Sequence, residues 1–190
     1  MISLRDPMIL VVGDTYYLTG TQNPIWKGPN EGVRLWSSKD LVHFTNHGLL
    51  VAREDMPEDM WCRDRFWAPE LFDGGDGWFY LTFNCRNEDE RYQHFHSVGL
   101  ARSRNVTGPY EMLTVERSLA GPWKKSEQNP VLVGNEEWHR SGHNHSFRGL
   151  DGKDYITFHA FMRDKNEEAL PRIFIRQVEY LPDGSVKVFE

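Results

Sequence analysis

The chain has 190 residues and a formal net charge of −6, with 22 Lys and Arg against 28 Asp and Glu. Hydrophobic residues make up 39% and aromatic residues 13%, enough for one domain with a sizeable core. The basic residues form no stripe and no apolar run reaches membrane-spanning length, so composition argues against a nucleic-acid or membrane partner.

Three stretches of the chain repeat one pattern, in which a strand and a tight Asp/Gly turn lead into an aromatic-rich strand. The copies cover residues 6–19, 68–82 and 143–157. A long polar loop and a further predicted strand follow each copy, at residues 33–38, 98–103 and 172–178. Alternating apolar residues and the Gly-Asp and Asp-Gly pairs favour strands and hairpins over helices.

The spacing of the copies predicts a β-propeller. The equivalent tyrosines Tyr17, Tyr80 and Tyr155 are 63 and 75 residues apart, and a four-stranded blade needs about 40 to 50 residues plus loops. We therefore predict one all-β domain of about three four-stranded blades. The blades are predicted at residues 1–62, 63–125 and 126–190. Propellers gather their inner strands around one channel, which brings Asp6, residues 68–70 and His143 together.

Two stretches depart from the repeat. Residues 54–60 are predicted to form a short helix, and residues 111–140 to hold a fourth strand and a long crossing loop. Three blades are fewer than the about four to eight that close a propeller, and open sheet edges favour pairing with another chain. The sequence therefore predicts a homo-oligomer, either six blades closed by two chains or an open assembly packed on a neighbour.

The copies together resemble glycoside hydrolase family 43, five-bladed propeller enzymes that act on arabinans, xylans and related glycans. Residues 5–7 with 16–18 are similar to the first-blade motif, 66–71 to the second, 141–147 with 151–153 and 158–160 to the fifth, and 107–110 to a pattern between blades. The resemblance covers nearly the whole chain.

The resemblance implies roles for particular residues. It makes Asp6 the general base, places residues 66–71 around the sugar pocket, and puts His143 at the channel, where it helps to hold a metal ion, often calcium. The family's third-blade Asp and its fourth-blade motif, which carries the general acid, have no counterpart here. The second copy is interpreted as a hybrid, because residues 98–110 also fit a place after the fourth blade.

Inverting glycoside hydrolysis needs two carboxyl groups, an ionised one that activates water and a protonated one that serves the leaving oxygen. Asp6 opens an inner strand and is the candidate base, although an aspartate beside proline is also a common turn residue. Glu70 is the candidate acid by elimination. The alternative is that Glu70 only hydrogen-bonds a sugar hydroxyl or a neighbouring strand. Three further aspartates, Asp14, Asp76 and Asp151, lie in the hairpin turns and are interpreted as structural.

Other residues are candidates for binding sugar. Trp67 is predicted to stack on a sugar ring, beside Ala68 of the same motif. Arg5 and Arg140 are predicted to hydrogen-bond sugar hydroxyls or to hold a carboxylate ionised. The sequence thus predicts an inverting hydrolase of O-glycosidic bonds in arabinose- or xylose-containing oligo- or polysaccharides. The alternative is a catalytically impaired carbohydrate-binding propeller fragment that lacks the general acid.

His143 lies near His145 and His159 in the sequence. It is a candidate for contact with substrate or with a calcium ion, and the calcium site would be weak because calcium prefers oxygen ligands. The two cysteines, Cys62 and Cys85, lie in no CxxC pair with a nearby histidine, which argues against zinc. Whether they bond to each other stays open.

The first repeated motif begins close to the start of the sequence, at Arg5. No signal peptide fits before it. The sequence therefore predicts a cytoplasmic protein, a chain whose leader was removed, or a fragment.

Overall fold

The computed structural model describes residues 2–24, 28–58, 63–89, 97–113, 135–163, 171–182 and 186–189. These residues form three four-stranded antiparallel sheets, which confirms the predicted all-β class and its repeat of four strands. Sheet one holds β1 (Arg5–Val12), β2 (Thr15–Thr21), β3 (Gly32–Ser38) and β4 (Thr45–Ala52). Sheet two holds β5 (Arg65–Asp73), β6 (Phe79–Arg86), β7 (Ser97–Ser103) and β8 (Glu111–Leu113). Sheet three holds β9 (Trp138–Arg148), β10 (Asp154–Met162), β11 (Arg172–Tyr180) and β12 (Val186–Val188).

The structure describes parts of the two stretches that depart from the repeat. Of the short helix predicted at 54–60, residues 54–58 are described, and the structure has there one 3-10 turn, Arg53–Asp55. β8 is a fourth strand within the stretch 111–140, whereas residues 59–62, including Cys62, and 114–134 lie outside the described residues. Cys85 is buried on β6. In the part of the chain that the structure describes, no helix has the length and apolar character of a membrane span.

The hairpin turns repeat from sheet to sheet. The hydroxyl of Tyr80 donates to Asp76 at 2.8 Å in sheet two, and that of Tyr155 donates to Asp151 at 2.8 Å in sheet three. Asp14, in the first hairpin, forms an ion pair with the ammonium group of Lys39, which follows β3 of the same sheet. All three aspartates therefore have partners within or beside their own turns.

Sheet one lies between the other two sheets. β1 packs against β5 of sheet two and against β9 and β10 of sheet three. A core of buried side chains that includes Leu35, Leu71 and Phe83 fills the space between sheets one and two. A smaller core that includes Ile9 and Phe147 joins sheets one and three. The three inner strands β1, β5 and β9 are thereby brought to a common axis, with sheet one in the middle of the row.

A third apolar cluster lies on sheet three, on the face turned away from sheet one. It contains Trp138 and Phe158, whose ring centroids are 5.2 Å apart, and Phe174, which stacks on Phe158. The alternation of side chains along β10 explains why sheet three has apolar residues on both faces. Ile156 and Phe158 belong to this cluster, whereas Tyr155, on the opposite face of the strand, packs towards sheet one. The predicted homo-oligomer is not tested by this arrangement and stays a prediction.

The glycine at position 99 is expected to be required for the packing of sheet two. A Cβ atom there would lie 2.4 Å from the ring of Phe83, which is buried in the core. We expect Gly99→Ala to lower the free energy of unfolding by about 1–3 kcal/mol through overpacking, measured by urea denaturation. Val98→Ala, at an exposed neighbouring side chain, is the control and should change it by less than about 0.5 kcal/mol. Equal effects of the two substitutions would contradict this account.

Candidate active site

A β-bulge interrupts the first strand of each of the three described sheets at the same register. The bulge residues are Asp6 and Pro7 in β1, Ala68 and Pro69 in β5, and His143 and Asn144 in β9. The first of each pair is left-handed, with φ of 52° at Asp6, 46° at Ala68 and 41° at His143. Such a conformation is uncommon for residues other than glycine. Its recurrence marks these three residues as structurally equivalent positions of the repeat.

The structure brings Asp6, Glu70 and His143 together. His143 Nδ1 lies 3.8 Å from Asp6 Oδ1, and His143 Nε2 lies 3.9 Å from Glu70 Oε1. The two carboxylates therefore face opposite nitrogens of a single imidazole ring. The Asp6 side chain is only 8% exposed, whereas Glu70 and His143 are 40% and 31% exposed. Asp6 thus forms the buried floor of the site, and the other two side chains open to solvent.

Thr21 fixes one oxygen of the Asp6 carboxylate. Its hydroxyl donates to Asp6 Oδ2 at 2.5 Å and accepts the backbone N–H of Ala68 at 2.7 Å. Because a hydroxyl has one proton and the Ala68 bond uses its oxygen as acceptor, that proton is directed at Asp6. Asp6 Oδ1 lies 3.7 Å from the Arg5 guanidinium and 3.6 Å from His159 Nδ1.

The backbone of Asp6 is held from sheet three. Its N–H donates to Nδ1 of His159 at 3.1 Å in a buried hydrogen bond. Thr21 and His159 occupy the same register in β2 and β10, each opposite the residue before its own sheet's bulge. Each side chain therefore accepts the N–H of the bulge residue in the neighbouring sheet.

The remaining predicted binding residues lie on β5 and β9, the strands that carry Glu70 and His143. The Arg65 guanidinium lies over the ring of Trp67, 4.6 Å from its centroid, so one face of the indole is covered. Ala68 contributes its backbone N–H to Thr21. Arg140 is exposed on β9, three residues before His143, and is also left-handed with φ of 52°.

Sequence reasoning missed two residues that position the site. Thr21 links Asp6 to Ala68 through its hydroxyl. The one feature that could have indicated it in the sequence is its pairing position opposite Arg5 of the first motif. Asn30, which is 2% exposed, donates its side-chain amide to the Phe66 carbonyl at 2.9 Å and accepts the Phe66 N–H at 3.2 Å. The Asn30 side chain thus makes the two backbone hydrogen bonds that a paired strand would make, and it anchors the start of β5 beside sheet one.

Burial sets the electrostatics of the two histidines that face sheet one. The pKa of His159 is lowered from 6.5 to about 4, mainly by burial; the negative charge of Asp6 opposes the change, and the charges of Arg5 and His143 add to it. Burial also lowers the pKa of His145, against the opposing charge of Glu70. A neutral His159 ring is the form that can accept the Asp6 N–H.

The donor set does not build a calcium site around His143. Calcium takes about six to eight oxygen ligands, whereas both nitrogens of His143 face carboxylates and Asp6 Oδ2 is taken by Thr21. Within the described residues, no group of three or more His, Cys, Asp or Glu side chains is placed to hold a metal ion. The calcium ion stays a prediction, and no chemistry below passes through it.

Comparison with known families gives two overlapping matches. Residues 2–114 and residues 74–186 each match the family model of the glycosyl hydrolases family 43. Residues 74–114, which hold most of sheet two, belong to both matches. This double match agrees with the interpretation of the second copy as a hybrid.

Two curated relatives are arabinan-degrading enzymes by name. An extracellular endo-alpha-(1->5)-L-arabinanase of Thermotoga petrophila is 28% identical over 124 residues, which is 59% of this chain and 24% of that protein. An extracellular exo-alpha-(1->5)-L-arabinofuranosidase of Cellvibrio japonicus is 35% identical over 98 residues, 50% of this chain and 25% of that protein. The chain therefore spans about a quarter of the length of these relatives.

Solved structures share the fold at low sequence identity. The alpha-L-arabinanase of Cellvibrio cellulosa gives a TM-score of 0.67 at 16% identity, with 100% of this chain and 96% of that chain covered. Its complex with arabinohexaose gives 0.67 at 16% identity, covering 99% and 96%. The GH43 protein BlXynB of Bacillus licheniformis gives 0.73 at 15% identity, covering 98% and 54%. These likenesses confirm the predicted propeller-type fold.

The Thr21 hydroxyl is expected to contribute to stability as well as to orientation. Thr21→Val keeps the shape but leaves the Ala68 N–H without this acceptor and Asp6 without this donor, so we expect a loss of about 1–3 kcal/mol. Thr21→Ser, which retains the hydroxyl, should cost about 1 kcal/mol or less for the lost methyl group. Urea denaturation of both variants checks this, and a Ser variant as unstable as the Val variant would refute the role of the hydroxyl.

The lowered pKa of His159 makes stability depend on pH. Between pH 6.5 and about 4 the unfolded chain binds a proton at this histidine that the folded chain excludes, so the free energy of unfolding falls as the pH is lowered through that window. The contribution is present above pH 6.5, and we expect roughly 1–3 kcal/mol to be lost by pH 4.

The comparison of wild type with His159→Asn isolates this histidine, since all other titrating groups are common to both proteins. The difference in free energy of unfolding should shrink as the pH falls from 6.5 to 4. Parallel curves over that range would show that His159 is not the responsible group.

Proposed function

Because the chain belongs to glycosyl hydrolases family 43, we propose that it hydrolyses O-glycosidic bonds in arabinose- or xylose-containing glycans by an inverting general acid/base mechanism. Asp6 is the base and Glu70 the acid. The observation that carries this proposal is the placement of the two carboxylates on opposite sides of the His143 imidazole. The names of the arabinanase and arabinofuranosidase relatives support the choice of glycan.

The position of Asp6 suits a general base. Thr21 holds Oδ2, and the Arg5 guanidinium lies 3.7 Å from Oδ1, so the carboxylate that is proposed to take a proton from water is fixed in place. The water oxygen then attacks the anomeric carbon while the bond to the leaving oxygen breaks. Since Asp6 is almost fully buried and held by hydrogen bonds, little reorganisation is needed when that proton arrives.

The position of Glu70 suits a proton donor at the mouth of the site. Its side chain is 40% exposed and faces the same histidine from the other side. An inverting enzyme separates its carboxyl groups by about 6.5–9.5 Å so that water and sugar fit between them, and the proposed mechanism requires Asp6 and Glu70 to have such a separation. Glu70 protonates the leaving oxygen, and the anomeric configuration of the sugar inverts.

Trp67 and His143 are proposed to hold the sugar. The indole of Trp67, over which the Arg65 guanidinium lies, offers an aromatic surface of the kind that contacts the apolar side of a sugar ring. The half-buried His143 lies 3.8 Å from the Asp6 carboxylate and 3.9 Å from that of Glu70 and can hydrogen-bond a sugar hydroxyl. This arrangement suits a neutral oligosaccharide.

Substrates with different leaving groups distinguish the proposed roles of the two carboxylates. Asp6→Asn should lower kcat by about 10²–10⁴-fold on arabino- or xylo-oligosaccharides and on aryl glycosides alike, because both need activated water. Glu70→Gln should lower kcat by a similar factor on the oligosaccharides but far less on nitrophenyl glycosides, whose leaving group departs without a proton. Steady-state kinetics on both substrate types measures this, and NMR of the first-formed product reports its anomeric configuration.

Glu179→Gln, at an exposed position on β11, is the control and should leave kcat unchanged. Equal losses in Glu70→Gln on both substrate types would remove Glu70 from the acid role. A folded wild-type protein that binds oligosaccharides by calorimetry without cleaving them would contradict the hydrolase and favour the carbohydrate-binding alternative.

A further inference from the structure

We propose that His159 is a positioning residue for the reaction, because its Nδ1 atom accepts the Asp6 N–H and so sets the left-handed backbone that aims the Asp6 carboxylate into the site. This inference rests on the proposed function for its catalytic consequence. Its geometric part concerns only the contact between His159 and Asp6, and can be tested without turnover.

The hydrogen bond answers a local structural need. The bulge places Asp6 and Pro7 opposite a single residue of β2 and gives Asp6 a φ of 52°. Its N–H nevertheless lies in a buried environment, where an unpaired donor costs about 1–3 kcal/mol. The imidazole of His159, which is 5% exposed, supplies the acceptor at 3.1 Å.

The chain makes room for this ring. Gly142 pairs with His159 across β9 and β10, and a Cβ atom on Gly142 would lie 3.1 Å from Nε2 and 3.2 Å from Cε1 of the imidazole. The absence of a side chain at Gly142 therefore leaves room for the imidazole beside β9. The Nδ1 edge is turned to Asp6, and the proton of the neutral ring is on Nε2, because an Nδ1 that accepts carries none.

The register supports a role in positioning. Thr21 holds the same place in β2 that His159 holds in β10, and it accepts the N–H of Ala68, the equivalent bulge residue of the next sheet. Two sheets thus use the same position for the same purpose. On this logic His159 acts on the reaction through Asp6, since no step of the proposed chemistry requires it to touch the sugar.

The test uses a matched pair of variants. His159→Asn keeps an acceptor near the place of Nδ1, and His159→Leu keeps similar bulk without one. We expect His159→Leu to lower kcat by about 10–100-fold with KM within twofold of wild type, as for a misplaced catalytic group. His159→Asn should recover most of that loss. Gly142→Ala, which pushes the ring by a few tenths of an ångström, should lower kcat less than His159→Leu.

A readout independent of activity is the scalar coupling across the N–H···N hydrogen bond in ¹⁵N-labelled wild-type protein. In wild type we expect coupling between the Asp6 amide nitrogen and His159 Nδ1. We also expect Asp6 Cα and Cβ chemical shifts typical of positive φ, and these shifts should change in His159→Leu but not in His159→Asn. No coupling and unchanged shifts would overturn the proposal, as would equal kcat losses in the Asn and Leu variants. If the coupling is present and the wild type cleaves no glycan, the proposed function fails while the control of Asp6 by His159 stands.

Discussion

The site depends on two backbone N–H groups that the β-bulges take out of the hydrogen-bond ladders of their own sheets. That of Asp6 is in a buried hydrogen bond and that of Ala68 in a partly buried one, and each finds its acceptor within the protein. Both acceptors come from neighbouring sheets, His159 from sheet three and Thr21 from sheet one. Hydrogen-bond satisfaction therefore couples the packing of sheets to the conformation of the residues at the axis.

This coupling places the chemistry at the junction of all three sheets. Asp6 receives the Thr21 hydroxyl from its own sheet and gives its N–H to sheet three, while Thr21 is tied to sheet two through Ala68. His143 then crosses from sheet three to reach Glu70 on sheet two. No one sheet contains the arrangement, so local unfolding of either outer sheet would remove a partner of sheet one.

The sequence predicted the repeating architecture because each sheet carries its own local signals. Asp/Gly turns and alternating apolar residues specify hairpins whatever lies beyond them, and the equivalence of Asp6 with His143 follows from aligning the copies. The cross-sheet contacts carry no such signal. The Asn30 link to Phe66 and the Thr21 link to Ala68 join residues 36 and 47 positions apart, and a buried asparagine or threonine in the sequence looks like any other polar residue. The contact between Arg65 and Trp67 was not predicted either. Residues i and i+2 lie on the same face of a strand, but the sequence does not show that a strand begins at Arg65.

The register also explains how a second carboxylate reaches the axis when, of the six bulge residues in the described inner strands, only Asp6 is acidic. Glu70 is equivalent to Met8 of sheet one and His145 of sheet three, the first residues paired again after the bulge. Met8 is buried against sheet two, where its sulfur lies 3.5 Å from the Leu71 nitrogen, and His145 hydrogen-bonds the backbone of sheet one at Ile9. Each therefore packs on the next sheet in the row. Sheet two is the last sheet of that row among the described residues, so the Glu70 side chain has no such neighbour to bury it, stays 40% exposed and turns to His143. A carboxylate is tolerated at this register because the position lies at the end of the row, and the same position in sheet one needs an apolar side chain.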